Sequence, residues 1–244
     1  MFSFSNKKNN ISTPSSSNRK TNFILLFIGR SGSSYIIDML NSHPDIVAER
    51  ELLVPFDDSE SEYNCLNNLY NKQRDVNISA VGFKTKLTDV YDVGQFTKML
   101  DEFDTKIIYL YRDNVIKQTV SRINRKRLHD DREHHNLEKG DKKLPAFSIE
   151  TEEFKRWFEE TNNRSLEIHD YVHNVKRPQL RISYEDLLEN HDLVFKRIFD
   201  FLDVEPHKME SKLVKNTSDD LKDVLLNYDE LKNLYKNTKF EEMF

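Results

Sequence analysis

Short apolar runs separated by longer mixed stretches dominate the chain from residue 23 onward. Residues 23–28 (Phe-Ile-Leu-Leu-Phe-Ile) are uninterrupted hydrophobes ended by Gly29, the pattern of a strand buried on both faces. Residues 80–84, 106–111 and 179–183 read as three more strands. Between them, apolar positions recur at helical spacing. Residues 33–41 turn Ile36, Ile37, Met39 and Leu40 inward, and 115–128 read as a second helix. Residues 150–173 form a long amphipathic helix with Phe154, Trp157 and Phe158 on one face, and 192–202 a fourth helix. Strands alternating with helices predict an α/β fold, a central parallel sheet flanked by helices. Ligands of such sheets sit beyond the carboxyl ends of the strands, so the loops after Ile28, Phe83 and Tyr111 are the expected site. The polar stretch 130–145, with Gly140 and Pro145, is an expected surface loop.

Residues 1–21 are mostly Ser, Asn and Lys, and they are expected to be a flexible tail before a single domain at 22–244. With no apolar core they do not read as a signal peptide. No run approaches the roughly 20 apolar residues of a membrane-spanning helix, so no transmembrane segment and a cytoplasmic location are expected. A net charge of −5 argues against a generic basic nucleic-acid coat, although not against a local anion site. The single cysteine, Cys65, excludes an intrachain disulfide and reads as a small buried hydrophobe in a reducing compartment.

The chemistry concentrates in Gly29-Arg30-Ser31-Gly32-Ser33-Ser34, which joins the first strand to the first helix. Glycines permit tight backbone geometry, a helix start offers free N–H groups and the positive end of a dipole, and Arg30 adds charge. The ATP-binding pattern GxxxxGK[ST] has a lysine that reaches the outer phosphates; here Ser33 follows Gly32 directly, which disfavours a kinase or ATPase. A second arrangement follows the strand at 106–111: Arg112 at its exit and Ser121 nine residues later. A guanidinium there and a hydroxyl on the following helix can converge on one anion. Arg122, Arg125, Lys126 and Arg127 come next, a solvated helix face, a steering surface for an anionic ligand or a nucleic-acid contact.

These segments, in this order, resemble sulfotransferases that use 3′-phosphoadenosine 5′-phosphosulfate (PAPS). Arg30-Ser31-Gly32-Ser33-Ser34-Tyr35 is similar to the family's first signature, and Asn41-Ser42-His43-Pro44-Asp45-Ile46 to a Ser-His-Pro segment found after the first helix of carbohydrate and bacterial members. The resemblance implies a P-loop NTPase-like sulfotransferase fold and a sulfuryl transfer from PAPS, without metal, to a small-molecule or carbohydrate hydroxyl. It implies that Arg30, Ser31, Gly32, Ser33, Ser34 and Tyr35 meet the 5′-phosphosulfate, and that Arg112 and Ser121 hold the 3′-phosphate. Val81-Gly82-Phe83-Lys84-Thr85-Lys86 resembles the strand end that supplies a catalytic lysine, here Lys84. Lys86 stands where cytosolic members carry their catalytic histidine. Glu51, in Glu49-Arg50-Glu51-Leu52-Leu53, is the implied base, with Glu49 in reserve. Tyr184, in Tyr184-Glu185-Asp186-Leu187, is expected near the adenine, and Lys215-Asn216-Thr217 in a loop that closes over the nucleotide. His43 is expected to order its turn, and His134 and His135 lack the further ligands of a metal site. The rival readings are a nucleoside or sugar kinase and a non-enzymatic nucleotide- or nucleic-acid-binding module. Oligomeric state leaves no mark on the sequence.

Overall fold

Five parallel strands form the central sheet of the computed structural model, which describes residues 20–53, 56–132, 137–138, 144–208, 213–214 and 220–244. Residues 1–19 of the expected tail, His134, His135 and Lys215–Thr217 lie outside the described residues. In chain order the elements are β1 (Thr21–Phe27), α1 (Ser33–Asn41), β2 (Ile46–Glu51), α2 (Ser59–Asn71), β3 (Ala80–Thr85), α3 (Val93–Glu102), β4 (Lys106–Tyr111) and α4 (Val115–Arg132). Then come β5 (Leu137–Glu138), α5 (Thr151–Asn174), β6 (Gln179–Ser183), α6 (Tyr184–Glu189), α7 (His191–Leu202), β7 (Leu213–Val214) and α8 (Tyr228–Leu234). The sheet order is β2-β3-β1-β4-β6, and β5 pairs antiparallel with β7.

Why β1 is continuous hydrophobe follows from its central place. Phe23, Leu25 and Phe27 enter a core shared with α1 and α7, while Ile24, Leu26 and Ile28 enter a second core on the other face, with Phe96 and Met99 of α3 and Ile168 of α5. A third cluster packs α4 against the start of α5, α8 and the carboxyl terminus. Gly82 fits β3 to β1: a Cβ there would lie 2.3 Å from the Phe23 carbonyl oxygen and 2.5 Å from its ring. All four strands and all four helices expected from the hydrophobic pattern are present, with no end shifted by more than four residues.

The pattern missed β2, α2, α3 and α8, and the short β5–β7 pair, whose first strand lies in the stretch 130–145 expected to be a loop. β2 is an edge strand whose second half, Glu49-Arg50-Glu51, is polar and exposed, so it lacks both the continuous run and the alternation that mark a strand. α2 and α3 start at aspartates, Asp58 and Asp92, whose carboxylates accept from the Ser61 and Gln95 N–H groups at 2.7 Å. Among the described residues no helix is long and apolar enough to cross a membrane.

Candidate functional site

β1 lies between β3 and β4, so the loops leaving these three strands gather at one end of the sheet. The loop after β1 takes two left-handed steps, Arg30 at φ 73° and Gly32 at φ 90°. Gly32 precedes α1, and no side chain caps that helix or places a carboxylate in its first turn. The hydroxyl of Ser31 is turned inward and donates to the Ile28 carbonyl at 2.7 Å, fixing the loop from beneath. A helix start left open in this way, with cations around it, offers free N–H groups and positive potential that can receive an anion.

Those cations come from three strands' ends. Arg30 Nε donates to Ser121 Oγ at 3.1 Å, which ties the first loop to α4. Arg112 is buried to 8 % exposure; its Nη1 donates to the Arg30 carbonyl at 3.3 Å, and its guanidinium lies 4.4 Å from the centre of the Tyr184 ring. The same ring also covers Gly32, where an added Cβ would sit 3.2 Å from it. Burial, helped by repulsion from Arg125 and Arg112, brings the Arg30 guanidinium down to about 10. Cations brought this close are stabilised by an anion between them.

Lys84 is almost fully buried, and its Nζ donates to Ser34 Oγ at 2.9 Å and lies 3.4 Å from Glu51 Oε1. Burial lowers its ammonium below the ordinary lysine value, Glu51 working against that shift. The Lys84–Glu51 pair depends on a register irregularity. Glu49 pairs with Phe83, but the next pair is Glu51 with Lys84, so Arg50 is the extra residue. Phe83 faces the α3 core, whereas Lys84 pairs with Leu25, which faces α1. Because residues paired across a parallel ladder share a face, the bulge sends Glu51 toward α1 and Glu49 to the other side. Lys86, 3.8 Å from Glu51 and 2.7 Å from Asp89, completes this group.

The structure thus gathers Arg30, Ser31, Gly32, Ser33, Ser34, Lys84, Glu51, Arg112, Ser121 and Tyr184 at one end of the sheet. It does not bring Tyr35 there. The Tyr35 ring packs on His191 and Phe195 of α7, and its hydroxyl is 2.9 Å from His191 Nε2. His43 orders its turn as expected. The Asp45 N–H can only donate and does so to Nδ1 at 3.1 Å, so Nε2 carries the proton and donates to the Glu205 carbonyl at 2.8 Å.

Two supporting residues escaped the sequence reading. Glu185 accepts from the N–H groups of Asp113 and Asn114 at 3.0 and 3.3 Å and lies 3.8 Å from Arg112 Nε, so it aims the start of α4 as well as the arginine. Its signal was the acid beside Tyr184. Gln118, fully buried, donates to the Gly29 carbonyl at 3.0 Å, and nothing in a lone helical glutamine marks that role. Beside the loop opens a cavity of about 320 Å³, between the ends of β1 and β3 and the facing sides of α4 and α5.

A family profile described as "Sulfotransferase domain" matches residues 20–243. No curated protein sequence matches the chain significantly. Among solved structures, a sulfotransferase from Alicyclobacillus acidocaldarius is similar at a TM-score of 0.54 and 16 % identity, over 92 % of this chain and 93 % of that one. Mouse sulfotransferase SULT7A1 complexed with PAP is similar at 0.50 and 18 %, over 78 % of this chain and 60 % of that one. The sulfotransferase domain from the curacin biosynthetic pathway aligns at 0.48 and 20 %, over 84 % and 80 %. At these identities the likeness is one of fold.

Proposed function

The chain belongs to the sulfotransferase domain family, and from that membership we propose that it transfers the sulfuryl group of PAPS to the hydroxyl of an acceptor. The observation that carries the choice of donor is the double anion site. One set of donors surrounds the open start of α1 (the loop 29–34 with Lys84), and a second, Arg112 with Ser121, stands at the exit of β4 and on α4. Two anchors tied by the Arg30–Ser121 bond suit a nucleotide with separate 5′ and 3′ phosphates. The PAP complex of the mouse relative supports the same donor.

The residues fit that molecule. Backbone N–H groups at the start of α1, with Arg30 and Ser34, hold the 5′ end; Ser31 acts through the backbone, since its hydroxyl is committed to Ile28. Arg112 and Ser121 hold the 3′-phosphate, and Tyr184 braces both Arg112 and Gly32. When bound, PAPS supplies a sulfuryl group whose S–O bond to phosphate breaks as the acceptor oxygen bonds to sulfur. Lys84 holds positive charge where the phosphate oxygen gains negative charge. Glu51 takes the proton of the acceptor hydroxyl, and its carboxylate is held at the reacting end by Lys84 and Lys86. A glutamate in this role, with Lys86 in place of a histidine, supports the carbohydrate-type branch and hence a carbohydrate hydroxyl as acceptor.

Calorimetric titration with 3′,5′-ADP, 5′-AMP and ATP with Mg²⁺ tests the donor. 3′,5′-ADP is expected to bind at least tenfold tighter than 5′-AMP, about 1.4 kcal/mol, from charge-assisted bonds to the extra phosphate. Equal affinities, or a preference for ATP with Mg²⁺, overturn the proposal in favour of a kinase.

A further inference from the structure

The basic run after Ser121 divides once it is folded. Arg127 leaves the site: its guanidinium lies 3.7 Å from the centre of the Phe147 ring. Arg122, Arg125 and Lys126 instead line the cavity beside the loop, joined by Arg30, Lys86 and Arg164. Against these six cations the lining holds one carboxylate, Glu167. Some of the charge is met from just outside. Glu160 pairs with Arg122 at 2.9 Å and with Arg164 at 2.7 Å, and Asp89 and Glu51 answer Lys86. Among the described residues no carboxylate lies within ion-pair distance of Arg125 or Lys126, and both are exposed.

Thr88 and His129 also line the cavity, and its apolar wall is Phe27, Ile28, Leu87, Trp157 and Ile168. Arg122 lies over the Trp157 ring at 5.0 Å, and Lys86 over that of Phe27 at 5.5 Å. A low-dielectric wall with an excess of one charge focuses its field on the space between. The cavity reaches the reacting end of the site, because Arg30 and Lys86 belong to both and Lys86 touches Glu51. Its volume, about 320 Å³, suits a small molecule and not a nucleic-acid duplex.

We infer that this cavity is the acceptor site and that the acceptor is itself an anion: a compact hydroxyl compound whose carboxylate, or a similar charged group, rests on Arg125 and Lys126 while an apolar face lies against Trp157, Phe27 and Ile168. This inference rests on the sulfotransferase reading above and adds a negative charge to the acceptor, a requirement that a sugar or a phenol can meet. A uronic sugar and a phenolic acid share the required chemistry, so the test carries both.

The experiment uses two matched pairs, methyl β-glucuronide with methyl β-glucoside and 4-hydroxyphenylacetate with 4-hydroxyphenylacetamide. Transfer from labelled PAPS is measured together with calorimetric binding to the 3′,5′-ADP complex. In at least one pair the anion is expected to exceed its neutral partner at least tenfold, in kcat/KM or in affinity, and the advantage is expected to shrink as salt screens the cations. In the double variant Arg125→Gln/Lys126→Gln the ratio should fall below threefold, with 3′,5′-ADP affinity within threefold of the parent. Neutral members equal to or better than the anions in both pairs overturn the inference, and so does a ratio that survives in the variant. Loss of 3′,5′-ADP affinity in the variant also overturns it, by assigning these cations to the nucleotide. Failure of the parent protein to prefer 3′,5′-ADP over 5′-AMP is a separate result and strikes the donor assignment instead.

Discussion

Arg30 Nε donates to Ser121 Oγ at 3.1 Å across 91 positions of sequence. That bond joins the loop after β1 to the helix after β4, so the two proposed anion anchors are tied together. Arg112 reinforces the link by donating to the Arg30 carbonyl, and Gln118 by donating to that of Gly29. A site cross-braced in this way is organised before any ligand arrives, which lowers the ordering cost of binding.

Arg112→Ala tests the second anchor. Loss of the guanidinium is expected to erase most of the tenfold preference for 3′,5′-ADP over 5′-AMP while 5′-AMP affinity changes little. Calorimetry with both nucleotides reads this. Full discrimination in the variant would move the 3′-phosphate contact to another residue.

Glu51→Gln keeps the size of the side chain but removes the carboxylate that we propose takes the proton. Turnover is expected to fall by about 10²–10⁴, the usual contribution of a positioned base, with 3′,5′-ADP affinity within a few fold. Glu49→Gln is the control, and its turnover should stay near that of the parent because the bulge at Arg50 turns Glu49 to the other face. A loss in the control and none at Glu51 would overturn the register argument.

Lys84→Met separates charge from packing. Removing the donor that we propose meets the leaving oxygen is expected to lower turnover about 10²–10³-fold. The stability effect has a defined pH window. Burial lowers the folded-state value of Lys84 below the ordinary 10.5. Between those two values the unfolded chain binds a proton that the folded protein has shed, so parent stability gains from rising pH. Urea unfolding from neutral pH to 10.5 should show that gain in the parent and its absence in the variant.

Gly32→Ala forces an L side chain into φ 90° and sets a methyl 3.2 Å from the Tyr184 ring. The left-handed conformation alone costs roughly 1–2 kcal/mol. Thermal unfolding should show a loss of at least that size, accompanied by weaker 3′,5′-ADP binding as Tyr184 is pushed against Arg112.

Tyr35→Phe removes the hydroxyl from His191 and nothing else. The expected loss is about 0.5–1.5 kcal/mol of stability, the net worth of one hydrogen bond, with 3′,5′-ADP affinity unchanged. A tenfold loss of affinity would return Tyr35 to the nucleotide site.

The sequence alone determined most of the sheet, because strands buried on both faces must be continuous hydrophobe, and the run 23–28 is too short for a helix and is ended by Gly29. It also pointed to the loops after β1, β3 and β4 as the candidate site, since a parallel sheet offers its ligand site at those ends. The cationic and hydroxyl residues of both anchors were legible there as motifs. Other features depended on contacts between distant segments, which leave no local pattern. β2 was hidden because an edge strand needs no apolar second half. The preference for Glu51 over Glu49 as Lys84's partner came from one extra residue in the β2–β3 ladder, and a register slip shows only when both strands are present. Tyr35, adjacent to Ser34 in sequence, went to α7 because successive residues of a helix point in different directions. The run from Arg122 to Arg127 looked uniform as text; the turn of α4 sent Arg127 to Phe147 and left Arg125 and Lys126 over the cavity, because 3.6 residues per turn distribute neighbouring charges around the helix.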